Sequence, residues 1–303
     1  MTLAATGAVG LGFLLDVLTG EPPSSVHPVA LFGRLVAPLD REWRYPRAVG
    51  LAGAVVLPLV AATVVWALVA AAVRFDPWHP WTDVVAGGLA LYVTTSLRML
   101  LSEALRVVRL TETDEDEARE ALLSLAGRDA TDLDAGELRS AAVESVAENL
   151  ADGFVAPLFA FSLLVQFSLP LAAAAAAWVK AVNTLDSMLG YRTKPVGTAA
   201  AKLDDLVMWV PARLAAVLIA QAARQPAALF RARYWLSEVP SPNSGWPMGT
   251  LAAALNVRLE KPGVYVLNAG ADLPSPQKAR RGVELVGAAG VVAALYAGVF
   301  AWF

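Results

Sequence analysis

The chain has no cysteine and only two histidines in 303 residues, and just 17% of its residues carry charge. Each scarcity excludes something. Without cysteine there are no disulfides, thiol nucleophiles, zinc ribbons or iron–sulfur clusters. Two histidines leave little for a histidine-built metal site. A net charge of −3, with no long basic run, argues against nucleic acid as a partner. What the chain does have is apolar surface. It is 57% hydrophobic with a mean hydropathy of +0.53, where an ordinary soluble domain is roughly 45–50% apolar and about 25% charged. The expected fold is therefore all-α, a polytopic integral membrane protein with about five to seven membrane helices or re-entrant segments and a helical polar insert.

Residues 49–73 hold no charge and are long enough to cross a bilayer. Residues 84–101 qualify if Arg98 snorkels. Residues 154–179 are apolar but contain Pro157 and Pro170, and 283–303 form a final span. Residues 2–18 lack the basic start of a signal peptide and are expected to be retained. Residues 203–223 carry Asp204, Asp205, Arg213 and Pro211, which fits a span lining a polar cavity or an interfacial helix. Between these lie polar sections at 19–48, 102–152 and 224–282, the last expected to hold little regular structure. In the insert, Thr113 and Asp116 suggest a helix cap and Gly127 a stop. A second helix is expected from Asp134, with Glu137 three residues on, to Gly153. One membrane-embedded domain, 1–303, is the expected organisation.

Chemistry concentrates beside the spans. Glu144, Glu148 and Asp152 are spaced i, i+4, i+8 and share a helix face, where like charges repel by a few tenths of a kcal/mol per pair. A solvated acidic face is the plain reading. Their approach to a membrane segment favours a divalent cation instead, Mg²⁺ by the hardness of the ligands. In 180–192, Lys180, Asn183, Thr184, Asp186 and Ser187 fall on one arc opposite an apolar one, as expected for residues facing a cavity or ligand. Asp204 and Asp205 point about 100° apart, so at most one joins a common site. Arg213 is a candidate anion contact. The segment 241–247, with Pro242, Gly245 and Pro247, reads as a constrained loop offering Asn243, Ser244 and Trp246. Asp16, Glu21, His27 and Arg34 lie near the mouth of the first span. Carboxylates beside cations suggest phosphate chemistry, yet no Walker-A pattern is present.

Taken in order, LLDVLTGEPPSSVHPVALFGR, GRDATDL with AAVESVAENLADGFVAPLF, KAVNTLDSMLGYR, AKLDDLVMWVPAR and SPNSGWPMG resemble the adenosylcobinamide-phosphate synthase family (CbiB/CobD) of cobalamin biosynthesis. Glu21 stands where that family more often has Asp, Leu150–Ala151 where Thr–Ser is common, and Ser244 where Ala is common. The resemblance implies a multi-pass protein of the cell membrane that joins (R)-1-amino-2-propanol O-2-phosphate to the f propionate of adenosylcobyric acid as an amide. ATP is implied as co-substrate and Mg²⁺ as the ion. Glu144, Glu148, Asp152 and Asp186 would hold Mg²⁺, with Lys180 and His27 completing the catalytic set. Asp16 is the alternative to His27 for taking the proton from the amine. Asp16, Arg128, Asp129, Asn149, Asn183, Arg192, Asp205, Arg213, Asn243 and Trp246 would bind substrate. The lipid bilayer, other membrane enzymes of cobalamin assembly and a second copy of the chain are the further partners. Residues 19–48 and 102–152 should share a side of the membrane, and mild Lys/Arg bias suggests the cytoplasmic one. If 154–182 crosses once, the motifs at 144–152 and 183–192 lie on opposite sides; for them to converge, 154–182 must be a hairpin broken near Ser168–Pro170, or must dip in and return. A Mg²⁺-dependent prenyltransferase or alcohol phosphotransferase, and a corrinoid transporter or non-catalytic partner, are the competing readings.

Overall fold

The computed structural model describes residues 2–75, 81–127, 130–191 and 193–303. Among these the chain forms, in order, α1 (Thr2–Thr19), α2 (Pro28–Val36), α3 (Pro46–Arg74), α4 (Trp81–Thr94), α5 (Arg98–Leu110), α6 (Glu115–Ala126), α7 (Ala135–Leu150), α8 (Ala156–Leu164) and α9 (Leu169–Leu189). Then come α10 (Thr198–Val207), α11 (Trp209–Ala222), α12 (Pro226–Ala232), α13 (Gly245–Leu255), β1 (Leu259–Lys261), β2 (Tyr265–Leu267) and α14 (Pro276–Trp302). Four helical runs among the described residues are long and apolar enough to cross a membrane: Pro46–Arg74, Trp81–Leu110, Ala135–Leu164 and Pro276–Trp302. Shorter apolar helices join them at Leu3–Thr19, Pro28–Leu39 and Trp209–Ala222. The protein is thus an all-α polytopic membrane protein, with one short antiparallel hairpin pairing Glu260 with Val266.

The chain divides into two compact units. The first comprises Met1–Ser96, Asp152–Met208 and Ala294–Phe303. Its α3 turns Leu51, Val55, Leu59, Val60 and Leu68 outward, a lipid-facing surface on a helix with no charge between its ends. Helices α1 and α4 approach closely because glycines line the seam. A Cβ on Gly12 would lie 2.8 Å from Leu91 Cβ, and one on Gly88 2.9 Å from Leu11 Cδ2, the small-residue packing that membrane helices favour. The alanine run of α9 is buried at Ala172, Ala173, Ala174, Ala176 and Ala177.

Three predicted stretches are interrupted. The stretch 84–101 breaks at residues 95–97, where the Thr94 and Thr95 hydroxyls donate to the Ala90 and Leu91 carbonyls, each at 2.7 Å. Such back-bonding competes with the helical ladder. The freed Ser96 N–H donates to Gly153 O at 3.0 Å. Gly153 lies in a π-helical turn, Ala151–Val155, whose wide ring leaves a carbonyl to share. The stretch 154–182 is broken near Ser168–Pro170. α8 ends at Leu164, and α9 starts after Ser168, whose Oγ accepts from Leu171 N at 3.3 Å. The two helices pack on each other. The stretch 203–223 likewise divides at Met208.

The second unit comprises Leu97–Ala151 and Trp209–Ala293. At its centre, α7 opens with the expected capping box between Asp134 and Glu137. It runs on through the π turn into α8 rather than stopping at Gly153. The helix before it is capped by Asp114, not Thr113, because Asp114 Oδ1 reaches the N–H groups of Asp116 and Glu117 at 3.1 and 3.0 Å. Gly127 ends it at φ 59°, as the glycine predicts. α7 is buried almost all round, from Leu138 to Ala147, so its acidic stripe is no solvated face. Residues 224–282, expected to be irregular, hold α12, α13 and the hairpin. Apolar patterning there is short and interrupted by proline, and only packing on α7 and α11 makes it regular.

Candidate functional site

In the second unit the carboxylates of α7 are each met by a residue from far along the chain. Glu144 is 3% exposed. Its Oε1 accepts from Ser140 Oγ at 2.9 Å and its Oε2 from Tyr265 OH at 2.6 Å. Ser140 Oγ in turn accepts the Glu260 N–H at 2.8 Å. A buried carboxylate thereby latches the hairpin onto α7, and both its oxygens are engaged. One turn on, Glu148 Oε1 accepts from Ser244 Oγ at 2.5 Å, and Glu148 remains partly exposed. Asn149 Nδ2 is spent on Ser145 O at 3.0 Å.

The loop carrying Ser244 is fixed by Arg213. The Arg213 guanidinium donates to Asn243 Oδ1 at 2.6 Å, to Trp209 O at 2.8 Å and to Pro242 O at 3.2 Å. It also stands over the rings of Trp209 and Trp246, 4.5 and 5.3 Å from their centroids. The expected display of Asn243 to solvent is corrected: it is 5% exposed, drawn inward by this bond. Trp246 lies in the first turn of α13 and not in a loop. Among the described residues all of Arg213's acceptors are neutral, so its charge meets no carboxylate there.

In the first unit, Lys180 on α9 lies within electrostatic reach of Glu21 and Asp152. His27 belongs to the same neighbourhood, with Nε2 3.7 Å from Glu21 Oε2. Its other nitrogen caps α2: Val29 N donates to Nδ1 at 3.1 Å. The neutral ring therefore carries its proton on Nε2 and has its lone pair engaged, which leaves it no free basic nitrogen. Burial, the largest influence, holds the His27 pKa below its ordinary value; Glu21 opposes this and Lys180 adds to it. Asp16 is fully buried. Both residues expected to accept the amine proton are thus spoken for.

Asn183 and Asp186 share α9 with Lys180, and Thr184 and Ser187 close their hydroxyls on the Lys180 and Asn183 carbonyls at 2.7 and 2.9 Å. The Asp186 carboxylate folds over the helix end. A Cβ on Gly190 would sit 1.8 Å from its Oδ1, so the glycine after this motif makes room for the acid. Of the adjacent aspartates on α10, Asp204 is buried and Asp205 partly exposed, in line with their divergent directions. Arg128, Asp129 and Arg192 lie outside the described residues.

Among the described residues no three His, Asp or Glu side chains group closely enough to hold a metal ion. Glu144, Glu148, Asp152 and Asp186 are therefore not a ready-made cage. The physical reason is clearest at Glu144, whose oxygens are occupied by Ser140 and Tyr265. The donor set does fit Mg²⁺ in its commoner manner, through one or two carboxylates with the remaining oxygens from water and substrate phosphate. Ser244 and Glu21 lie within motifs visible in the sequence, whereas Tyr265 lies in none of them. Tyr265 gives no local signal, being 121 residues from the carboxylate it meets.

Charged and polar groups buried among apolar helices, Asp16 and Glu144 foremost, define a polytopic integral membrane protein. Comparison with known proteins is more specific. The model of the CobD/Cbib protein family matches residues 9–288. A probable cobalamin biosynthesis protein CobD from Methanothrix thermoacetophila is 35% identical over 297 residues, covering 94% of this chain and 93% of its own. The cobalamin biosynthesis protein CobD of Photorhabdus laumondii is 38% identical, covering 88% of this chain and 84% of its own. That of Rhodobacter capsulatus is 37% identical, with 94% and 93% covered. No solved structure matches. The chain belongs to the CobD/Cbib family.

Proposed function

We propose that this protein serves cobalamin biosynthesis in the cell membrane as an adenosylcobinamide-phosphate synthase, forming the amide between adenosylcobyric acid and (R)-1-amino-2-propanol O-2-phosphate at the expense of ATP. The observation that carries the reading is the near full-length family match, joined to charged groups held inside an otherwise apolar bundle. A carboxylate is a poor electrophile, so the corrin propionate needs activation. Attack of the propionate oxygen on the γ-phosphorus gives an acyl phosphate and ADP. The free amine then displaces phosphate, with loss of one proton.

The chain's own residues divide this labour. Glu148, with Oε1 steadied by Ser244, would offer Oε2 to a magnesium ion, which when bound would supply charge neutralisation to phosphate. Arg213, oriented by Asn243 and two indoles and lacking an acidic partner, offers its unused N–H groups to a phosphate. Glu144 is reassigned from the metal to the support of the hairpin. In the first unit Lys180, within electrostatic reach of Glu21 and Asp152, is a separate charged group that can neutralise negative charge on a ligand. In that group, with His27 committed to its cap and Asp16 buried, Glu21 is the carboxylate left to accept a proton.

The test is direct. Purified protein with adenosylcobyric acid, aminopropanol phosphate and Mg-ATP should yield adenosylcobinamide phosphate and ADP in equal amounts. Amide formation without ATP consumption, or no amide under any of these conditions, would sink the assignment.

A further inference from the structure

The segment between α2 and the lipid-exposed α3 carries three arginines that the proposed chemistry does not use: Arg41, Arg44 and Arg47. All are exposed, and none pairs with a carboxylate among the described residues. Arg41 lies over the Trp43 ring at 4.0 Å and Arg44 over the Tyr45 ring at 5.3 Å. Of the acids nearby, Asp40 is taken by Lys194 at 2.7 Å, leaving Glu42 alone against three cations. Trp43 hangs its indole N–H on Leu39 O at 3.1 Å, while Tyr45 stands 64% exposed.

The placement runs against the local electrostatics. Arg34 sits in the last turn of α2, where a helix welcomes a cation. Arg47 sits in the first turn of α3, which has no acidic residue. There the partial positive charge of the helix end adds to Arg44 and Arg47. Such a concentration is favourable only if anions from outside the chain meet it. It stands at the foot of the 29-residue span Pro46–Arg74, only 17% of whose apolar window is buried within the protein, so most of this helix is left for lipid to cover. Aromatic rings at that level are those that settle among headgroups.

We infer that Arg41, Arg44 and Arg47, with Trp43 and Tyr45, form a surface for the phosphate of anionic phospholipid headgroups, which anchors the start of α3 at the membrane surface. Each arginine near an anionic surface contributes about fivefold to association. The preference should also weaken with salt, as exposed charges are screened.

The full-length protein, reconstituted with brominated phosphatidylglycerol or brominated phosphatidylcholine, reads this out through quenching of Trp43, taken as the difference between wild type and Trp43→Phe. The expected result is a relative association constant of about tenfold or more in favour of the anionic lipid. In Arg41→Gln/Arg44→Gln/Arg47→Gln it should fall to near unity, with the amide-forming activity in a fixed lipid unchanged. Should the triple variant fail to insert, Arg44→Gln alone should lose about fivefold. Equal quenching by both lipids in wild type, or an undiminished preference in the arginine variants, overturns the inference. So does full competition by soluble glycerol phosphate, which would mark a site for free anions and not a lipid surface.

Discussion

Glu148 and Ser244 show what a single hydroxyl can and cannot decide. The 2.5 Å bond from Ser244 to Glu148 Oε1 orients the carboxylate but leaves its charge and its second oxygen intact. Glu148→Gln removes the charge, and should abolish ATP-dependent amide formation while leaving membrane insertion and the unfolding midpoint unaltered. Ser244→Ala should keep turnover within severalfold of wild type, with any loss appearing in the magnesium dependence. Normal turnover by Glu148→Gln would remove the metal role. At Glu144 the emphasis is on stability. Tyr265→Phe strips one donor from a buried carboxylate, which costs about 1–3 kcal/mol, and should lower the denaturation midpoint in detergent. The i, i+4, i+8 spacing of the acids is plain in the sequence, but not which of them is already satisfied. That depends on Tyr265 and Ser244, brought in by packing from distant segments.

His27 is legible in a different way. Its motif marks it as special, and the structure makes it a cap whose ring is held neutral. A histidine with its folded pKa depressed is protonated more readily in the unfolded chain. Its contribution is therefore complete above the unfolded value of about 6.5 and is lost as pH falls below it. Melting curves of the wild type should decline on acidification from about pH 6.5. His27→Asn, which can still cap α2, should flatten that part of the profile. A decline of unchanged size in the variant would place the titrating group elsewhere, for instance at His79.

At the scale of elements, a long charge-free run announced α3, the apolar run from 283 announced all of α14 but its charged first turns from Pro276, and local capping chemistry announced α7. The breaks were legible only where proline or serine marked them, as at Ser168–Pro170. The interruption at residues 95–97 has no such mark, because threonine hydroxyls bond back to carbonyls only once neighbouring helices exclude water. The turn after α9 is fixed by glycines that accept a backbone at no cost in space. A Cβ on Gly50 would lie 1.8 Å from Val196 O, and one on Gly197 1.6 Å from Leu189 O. Gly50→Ala must therefore push α3 away from the 195–197 turn, a cost of about 1–3 kcal/mol by analogy with overpacked cores. The variant should unfold earlier, and Gly10→Ala, where nothing lies within 4 Å, should not.

At the scale of the whole molecule, the paucity of charge becomes a statement about orientation. The arginines at 41, 44 and 47 precede α3, whereas residues 75–80 after it contain no lysine or arginine. Arg74 alone stands at that end of the helix. By the positive-inside rule, such an imbalance over short flanks predicts that the positive end lies on the cytoplasmic side. Tyr45 and Phe75, at the two ends, are 64% and 77% exposed. Because the chain has no cysteine of its own, Tyr45→Cys and Phe75→Cys each introduce one thiol against an empty background. In intact cells an impermeant maleimide should reach the thiol at 75 and spare that at 45; in inverted vesicles the pattern should reverse. Labelling of both from one side would mean that α3 does not cross. Labelling in the opposite sense would place the basic end outside, where neither the orientation rule nor a supply of ATP for amide formation supports it.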